Sequence, residues 1–127
     1  MSTEHPLKGK RGLQRIVNAA GYSARGLHAA WVHESAFRQE VVLSCFMLPA
    51  AWWLGTDWVE RTLLIGTVLL VLATELMNSA VEAAVDRVSL ELHPLAGRAK
   101  DMGSAAVLMT LLLCGGTWAG ALWARLS

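Results

Sequence analysis

The chain has 127 residues, of which 54% are hydrophobic and 17% charged, with a formal net charge of +1. One domain is the expectation at this length. A charged fraction below the about 25% of soluble domains, with a mean hydropathy of +0.41, points to a membrane protein, and the near-zero net charge argues against general affinity for nucleic-acid backbone.

Residues 1–11 read as a flexible polar tail. From residue 12 to 31, Leu13, Ile16, Val17, Ala20, Ala24, Leu27 and Trp31 recur at helical spacing. Arg15, Asn18, Arg25 and His28 lie mostly off that stripe. This fits an amphipathic helix lying in the membrane interface, basic residues toward anionic headgroups; the same stripe is also open to packing on a soluble core. Three apolar segments follow, at about residues 36–54, 61–84 and 104–124. The first carries Arg38 and Glu40 at its start and Pro49 within it; proline is tolerated in membrane helices when neighbours re-satisfy the freed carbonyl. The third carries no charge from Ala105 to Trp123. Asp57 and Glu60 have capping-box spacing and predict the start of the second membrane helix. Nothing resembles a cleavable signal peptide.

Basic residues set the expected orientation. Lys8, Lys10, Arg11, Arg15, Arg25 and Arg38 precede the first span, and Arg87, Arg98 and Lys100 lie between the second and third; only Arg61 and Arg125 fall on the other side. The N-terminus and a loop from Asp86 to Gly103 are therefore expected in the cytoplasm, and the 55–60 turn and the C-terminus outside. Trp52, Trp53, Trp58 and Trp123 would form an aromatic belt at the outer boundary. Cys45 and Cys114 both lie within spans and read as small buried hydrophobes. No residues have zinc-ligand spacing. Gly116 and Gly120 form a GxxxG, which alone is a weak signal for close helix contact.

Glu75 and Glu82 sit near the end of the second span, where a charged residue costs roughly 2.5–3.5 kcal/mol at a helix centre. Seven residues is about two helical turns, so both acids share a face, and Asn78 lies between them on it. An intramembrane polar stripe is by default a functional-site candidate. Arg15, Tyr22, Glu34, Arg38, Glu40, Asp86, Glu91, His93, Arg98, Lys100 and Asp101 are expected on the same side of the membrane. Carboxylates for Mg²⁺, which usually binds one or two of them plus substrate phosphates, beside basic residues that neutralise a transferred group, point to phosphoryl transfer. Glu82 falls near the interface, within reach of a soluble nucleotide; Glu75 lies roughly 10 Å deeper by helical rise, where a lipid hydroxyl could reach. The P-loop, GxGxxG and HExxH signatures are missing.

The segments GRAKDMGSAAV (97–107), ELMNSAVEAAVDR (75–87), AAGYSARGLHAAW (19–31) and ESAFRQE (34–40) resemble the small bacterial integral-membrane diacylglycerol kinases, over roughly residues 13–125. The resemblance implies an all-α membrane protein of three transmembrane helices plus an N-terminal amphipathic surface helix, assembled as a homotrimer with active sites shared between subunits in the bacterial inner membrane. It implies transfer of the γ-phosphate of MgATP to diacylglycerol, giving phosphatidic acid. By family pattern Glu75 is the general base, and Glu34 and Glu82 hold the metal. Arg15, Tyr22, Glu91, His93, Lys100 and Asp101 contact the nucleotide, and Asn78 supports the site. Trp53, Arg61, Ser104 and the segment from Ala36 through Arg38 to Glu40 line the lipid site, with Arg15, His28 and Trp31 beside them. Three positions depart from the pattern: His28 replaces an Arg or Lys, Leu92 a tyrosine, and Pro94 an acid.

Three alternatives stand beside this expectation. A related branch phosphorylates undecaprenol. A proton- or ion-conducting oligomer would use Glu75 and Glu82 as relay carboxylates but leaves Arg98, Lys100 and Asp101 without a role. A structural membrane adaptor leaves the whole polar group unexplained.

Overall fold

In a computed structural model, which describes residues 8–88 and 93–127, the chain forms four helices: α1 (Lys8–His33), α2 (Ser35–Leu54), α3 (Trp58–Val88) and α4 (Pro94–Leu126). The α3–α4 hairpin makes the most extensive packing, α2 lies against α3, and α1 touches α2 and α3 only lightly. Two helices, α3 and α4, are long and apolar enough to cross a membrane. Only 28% and 17% of their apolar windows are buried, far too little for the core helices of a soluble domain. Phe46, Leu69, Met109 and Leu112 all face outward.

The interior is small. Ala51, Leu54 and Leu64 form one cluster near the turn between α2 and α3, with Trp118 packed against it. Val68, Val71 and Cys114 form a second, one to two turns further along. In lipid, packing and polar ties hold helices together where the hydrophobic effect does not. Here the Trp118 indole donates to the Leu64 carbonyl at 3.2 Å, and the Thr74 and Thr110 hydroxyls meet at 2.9 Å.

The turn between α2 and α3 is built as the spacing of Asp57 and Glu60 predicts. Asp57 Oδ1 accepts from the Glu60 amide at 2.8 Å, satisfying one of the donors a helix start leaves open. The return half of the box is displaced by one residue: Glu60 Oε2 accepts from the Thr56 hydroxyl at 2.6 Å and the Thr56 amide at 3.3 Å. Gly55 lets the chain close here, because a Cβ at that position would collide with Arg61. Arg61 donates from Nε to the Trp52 carbonyl at 3.0 Å and lies 4.4 Å from the Trp52 ring centroid.

Three boundaries differ from those read in the sequence. Helix α1 starts at Lys8, inside the stretch expected as a tail. Helix α3 starts at Trp58, directly after the Asp57 cap as its spacing predicts, and so extends one turn ahead of the apolar span at residue 61. The expected 86–103 loop is largely helical: α3 runs to Val88 and α4 starts at Pro94. The reason lies in the start signal. Pro94 occupies the first turn, where its fixed φ suits a helix and its missing N–H is no loss, and His93 caps the end with Nδ1 accepting from the Leu95 amide at 3.0 Å. Residues 94–103 are simply too polar to read as part of a span. The stripe Leu13, Ile16, Val17, Leu27 and Trp31 on α1 is exposed among the described residues.

Candidate active site

Helix α3 carries the site as a ladder. Glu75, Asn78, Glu82 and Asp86 succeed one another at three or four residues, which stacks them on one face. Neighbouring helices meet this face at different heights. Glu75 is buried, at 8% exposure, and Glu40 on α2 lies against it, close enough for carboxyl–carboxyl hydrogen bonding and charge repulsion. One turn up, Asn78 Nδ2 donates to Glu82 Oε1 at 3.4 Å. The Asn78 amide sits directly over Gly103 of α4, where a Cβ would meet its Oδ1 and lie 3.3 Å from its Cγ. At the top, Lys100 of α4 donates to Asp86 at 2.7 Å. That bond holds the Lys100 ammonium above its ordinary pKa, and the nearby Glu82 carboxylate adds to the effect.

Two buried oxygens at this site, Glu40 Oε2 and Asn78 Oδ1, have no hydrogen-bond partner among the described residues. Leaving such a group unpaired costs about 1–3 kcal/mol. Below Glu40 lies an apolar cavity of about 220 Å³ between α2, α3 and α4, bounded by Leu43, Met47, Val71, Leu111 and Cys114.

Other expected site residues lie elsewhere in the single chain. Arg15, Tyr22, His28 and Trp31 are exposed along α1; Tyr22 stacks with Arg25, whose guanidinium is 4.9 Å from the ring centroid. Glu34 begins α2 without capping it through its side chain, and faces an open groove of about 640 Å³ between α1 and α3 lined by Gly26, Ala30, Ala80 and Ala83. Arg38 is engaged with the end of α1, donating to the Trp31 and Val32 carbonyls at 2.7 and 3.0 Å. Ala36, His93, Asp101 and Ser104 are exposed, and Glu91 and Leu92 lie outside the described residues.

Trp53 and Arg61 are not brought to the ladder. Arg61 is 14 residues before Glu75 on the same helix, roughly 21 Å along its axis. Trp53 stacks with Arg125, 5.0 Å from guanidinium to centroid, at that far end. In the single chain both make contacts at the turn between α2 and α3 and at the end of α4. Conversely, the sequence reading assigned no role to Gly103 and none to Asp86 beyond membership of the polar group. The signal for Gly103 was its place one helical turn after Ala99 and Lys100, facing the Asn78 stripe.

Among the described residues no three His, Cys, Asp or Glu side chains converge to hold a metal. Mg²⁺ does not need such a cage, because it keeps waters and is bound through one or two carboxylates plus substrate phosphates. Glu82, partly buried and engaged only by the long Asn78 contact, has the open lone pairs that role requires.

Exposed apolar helices and a polar ladder that starts at the buried Glu75 define a small integral membrane protein with a polar site near one end of its bundle. Residues 21–122 match the prokaryotic diacylglycerol kinase family. The chain is 52% identical over 114 residues to the diacylglycerol kinase of Escherichia coli, covering 90% of this chain and 93% of that one. It is 54% identical over 114 residues to that of Pseudomonas aeruginosa, with the same coverage. With the diacylglycerol kinase of Haemophilus influenzae it shares 47% over 112 residues, 88% of this chain and 95% of the relative. The chain belongs to the prokaryotic diacylglycerol kinase family.

Proposed function

We propose that this protein transfers the γ-phosphate of ATP to the hydroxyl of diacylglycerol, giving phosphatidic acid at the bacterial inner membrane. The observation that carries the reading is the buried Glu75 carboxylate, flanked by partnerless polar oxygens and set above an apolar cavity. A lipid is the one substrate class that brings a hydroxyl and an acyl chain to such a place together.

The chemistry follows from the ladder. Glu75 accepts the proton of the lipid hydroxyl as its oxygen attacks the γ-phosphorus; the new P–O bond forms as the bond to ADP breaks. Lys100 offers its ammonium to the phosphate chain, and Asn78 orients Glu82. Glu82, with Glu34, would hold Mg²⁺, which supplies charge neutralisation on the β- and γ-phosphates.

Helices α2, α3 and α4 are the three spans of this reading and α1 is the surface helix, with the N-terminus cytoplasmic and the C-terminus periplasmic. A homotrimer is supported by the open α1–α3 groove, whose small residues accommodate a neighbouring helix. It is supported too by the distance in character between the ladder and Arg15, Tyr22, His28, Asp101 and Ser104, which lie exposed on the single chain. Sites shared between subunits would unite the two groups.

The test is phosphate transfer from γ-labelled ATP in mixed micelles, with diacylglycerol and undecaprenol assayed in parallel. Label in phosphatidic acid is expected. Label chiefly in undecaprenyl phosphate would keep the mechanism and replace the acceptor; no transfer to either lipid would end the kinase reading. Within the same assay, Glu82→Gln should raise the Mg²⁺ concentration for half-maximal rate on the order of tenfold. Unchanged Mg²⁺ dependence would remove Glu82 from the metal site.

A further inference from the structure

The ladder ends in a pair of which the reaction as written uses Lys100 and gives Asp86 no part. Lys100 and Asp86 join α4 to α3 at 2.7 Å, with side chains 42% and 47% exposed. Asp86 lies one turn beyond Glu82 on α3, and Lys100 is within electrostatic reach of both carboxylates. An ammonium on a flexible four-carbon stem goes to whichever carboxylate is nearer and better placed. Here it is bound to Asp86, and among the described residues Glu82 is hydrogen-bonded by Asn78 alone.

We infer that Asp86 is a positioning residue that keeps Lys100 off Glu82, so that Glu82 stays open to the metal that accompanies the nucleotide. The inference rests on the kinase reading. A lysine paired with Glu82 would neutralise the carboxylate and occupy the lone pairs that a divalent cation needs. Held one turn away by Asp86, the same ammonium stands beside the metal position rather than on it. There it meets the phosphate chain as a positive point charge. Asp86 need touch neither substrate nor metal for this to work.

The alternatives for the pair are separable. A simple helix tie would add stability and leave metal affinity unchanged. A carboxylate acting directly on the cation would lose affinity on substitution whether or not a lysine were present. Only the positioning role makes the effect of Asp86 depend on Lys100, and a double-mutant cycle isolates that dependence.

The experiment is Mn²⁺ binding by electron paramagnetic resonance to the full-length protein in micelles, with a non-hydrolysable ATP analogue. Wild type, Asp86→Asn, Asp86→Glu, Lys100→Met and the Asp86→Asn/Lys100→Met double variant are compared. Asp86→Asn should weaken Mn²⁺ binding roughly two- to fivefold, the scale of an exposed ion pair. Asp86→Glu should retain most of the affinity. In the Lys100→Met background, Asp86→Asn should have no further effect. Undiminished Mn²⁺ binding by Asp86→Asn would overturn the inference, and so would an equal loss with and without Lys100. A wild-type protein that binds no Mn²⁺ with the analogue, and phosphorylates neither lipid, would bring down the kinase reading along with it. Wild-type binding and turnover with an unchanged Asp86→Asn would bring down this inference alone. Elution of each variant by size exclusion confirms that the assembly measured is the same.

Discussion

Glu75→Gln is expected to lower the turnover number by about 10²–10⁴-fold, the range contributed by a positioned general base. The amide is nearly isosteric and can still accept and donate hydrogen bonds, so nucleotide binding and assembly should survive. What it cannot do is accept the hydroxyl proton. The structure adds a reason for a large effect: Glu75 is buried, so water is poorly placed to substitute as base. Single-turnover phosphate transfer, with nucleotide binding and oligomer size measured on the same preparation, checks this. A variant that stays active would remove Glu75 from the chemistry. One that loses assembly as well would reassign it to the interface between helices.

Gly103→Ala should be nearly as damaging by a different route. The added methyl meets the Asn78 side chain at its Oδ1 and Cγ, and the Asn78 Cα is only 3.8 Å away. The amide end could turn aside, but its other direction is toward Glu82, to which it already donates. Either α4 moves away from α3 or the Asn78–Glu82 pair is disturbed. Overpacking of this kind costs typically about 1–3 kcal/mol. The expected result is a shorter half-life at fixed temperature in micelles, the operational measure where unfolding is irreversible. A lower turnover number and a raised Mg²⁺ requirement should accompany it, because Asn78 orients a carboxylate. Full stability and full activity in Gly103→Ala would show that α4 does not approach Asn78 this closely.

Both results bear on why a two-helix hairpin should carry so much of the reaction. The α3–α4 contact is the most extensive in the chain, and it is pinned by Thr74–Thr110 and Trp118–Leu64. A stiff hairpin holds its carboxylates at fixed separations, which is what positioning catalysis needs. The α1 helix is attached lightly and presents Arg15, Tyr22, His28 and Trp31 exposed. Ion conduction, the competing use of buried carboxylates, gives the Lys100–Asp86 pair and the apolar cavity under Glu40 no task.

The features legible in the sequence are those set by local chemistry. Hydropathy and length marked the membrane helices, because apolar runs are a property of neighbours in the chain. Periodicity placed Glu75, Asn78 and Glu82 on one face, because helical geometry fixes side-chain direction within a single element. Asp57 and Glu60 announced a helix start for the same reason. The family motifs added an expected acceptor and nucleotide, and the family itself is established by identity along most of the chain. Whatever depended on how one helix turns against another had to come from tertiary structure. Glu40 meets Glu75 across two helices, Asn78 fits over Gly103, and Lys100 chooses Asp86 over Glu82. Rotation of a helix by a fraction of a turn would change every one of these pairings while leaving the sequence pattern the same, so the pattern identified the ladder and the packing decided what each rung touches.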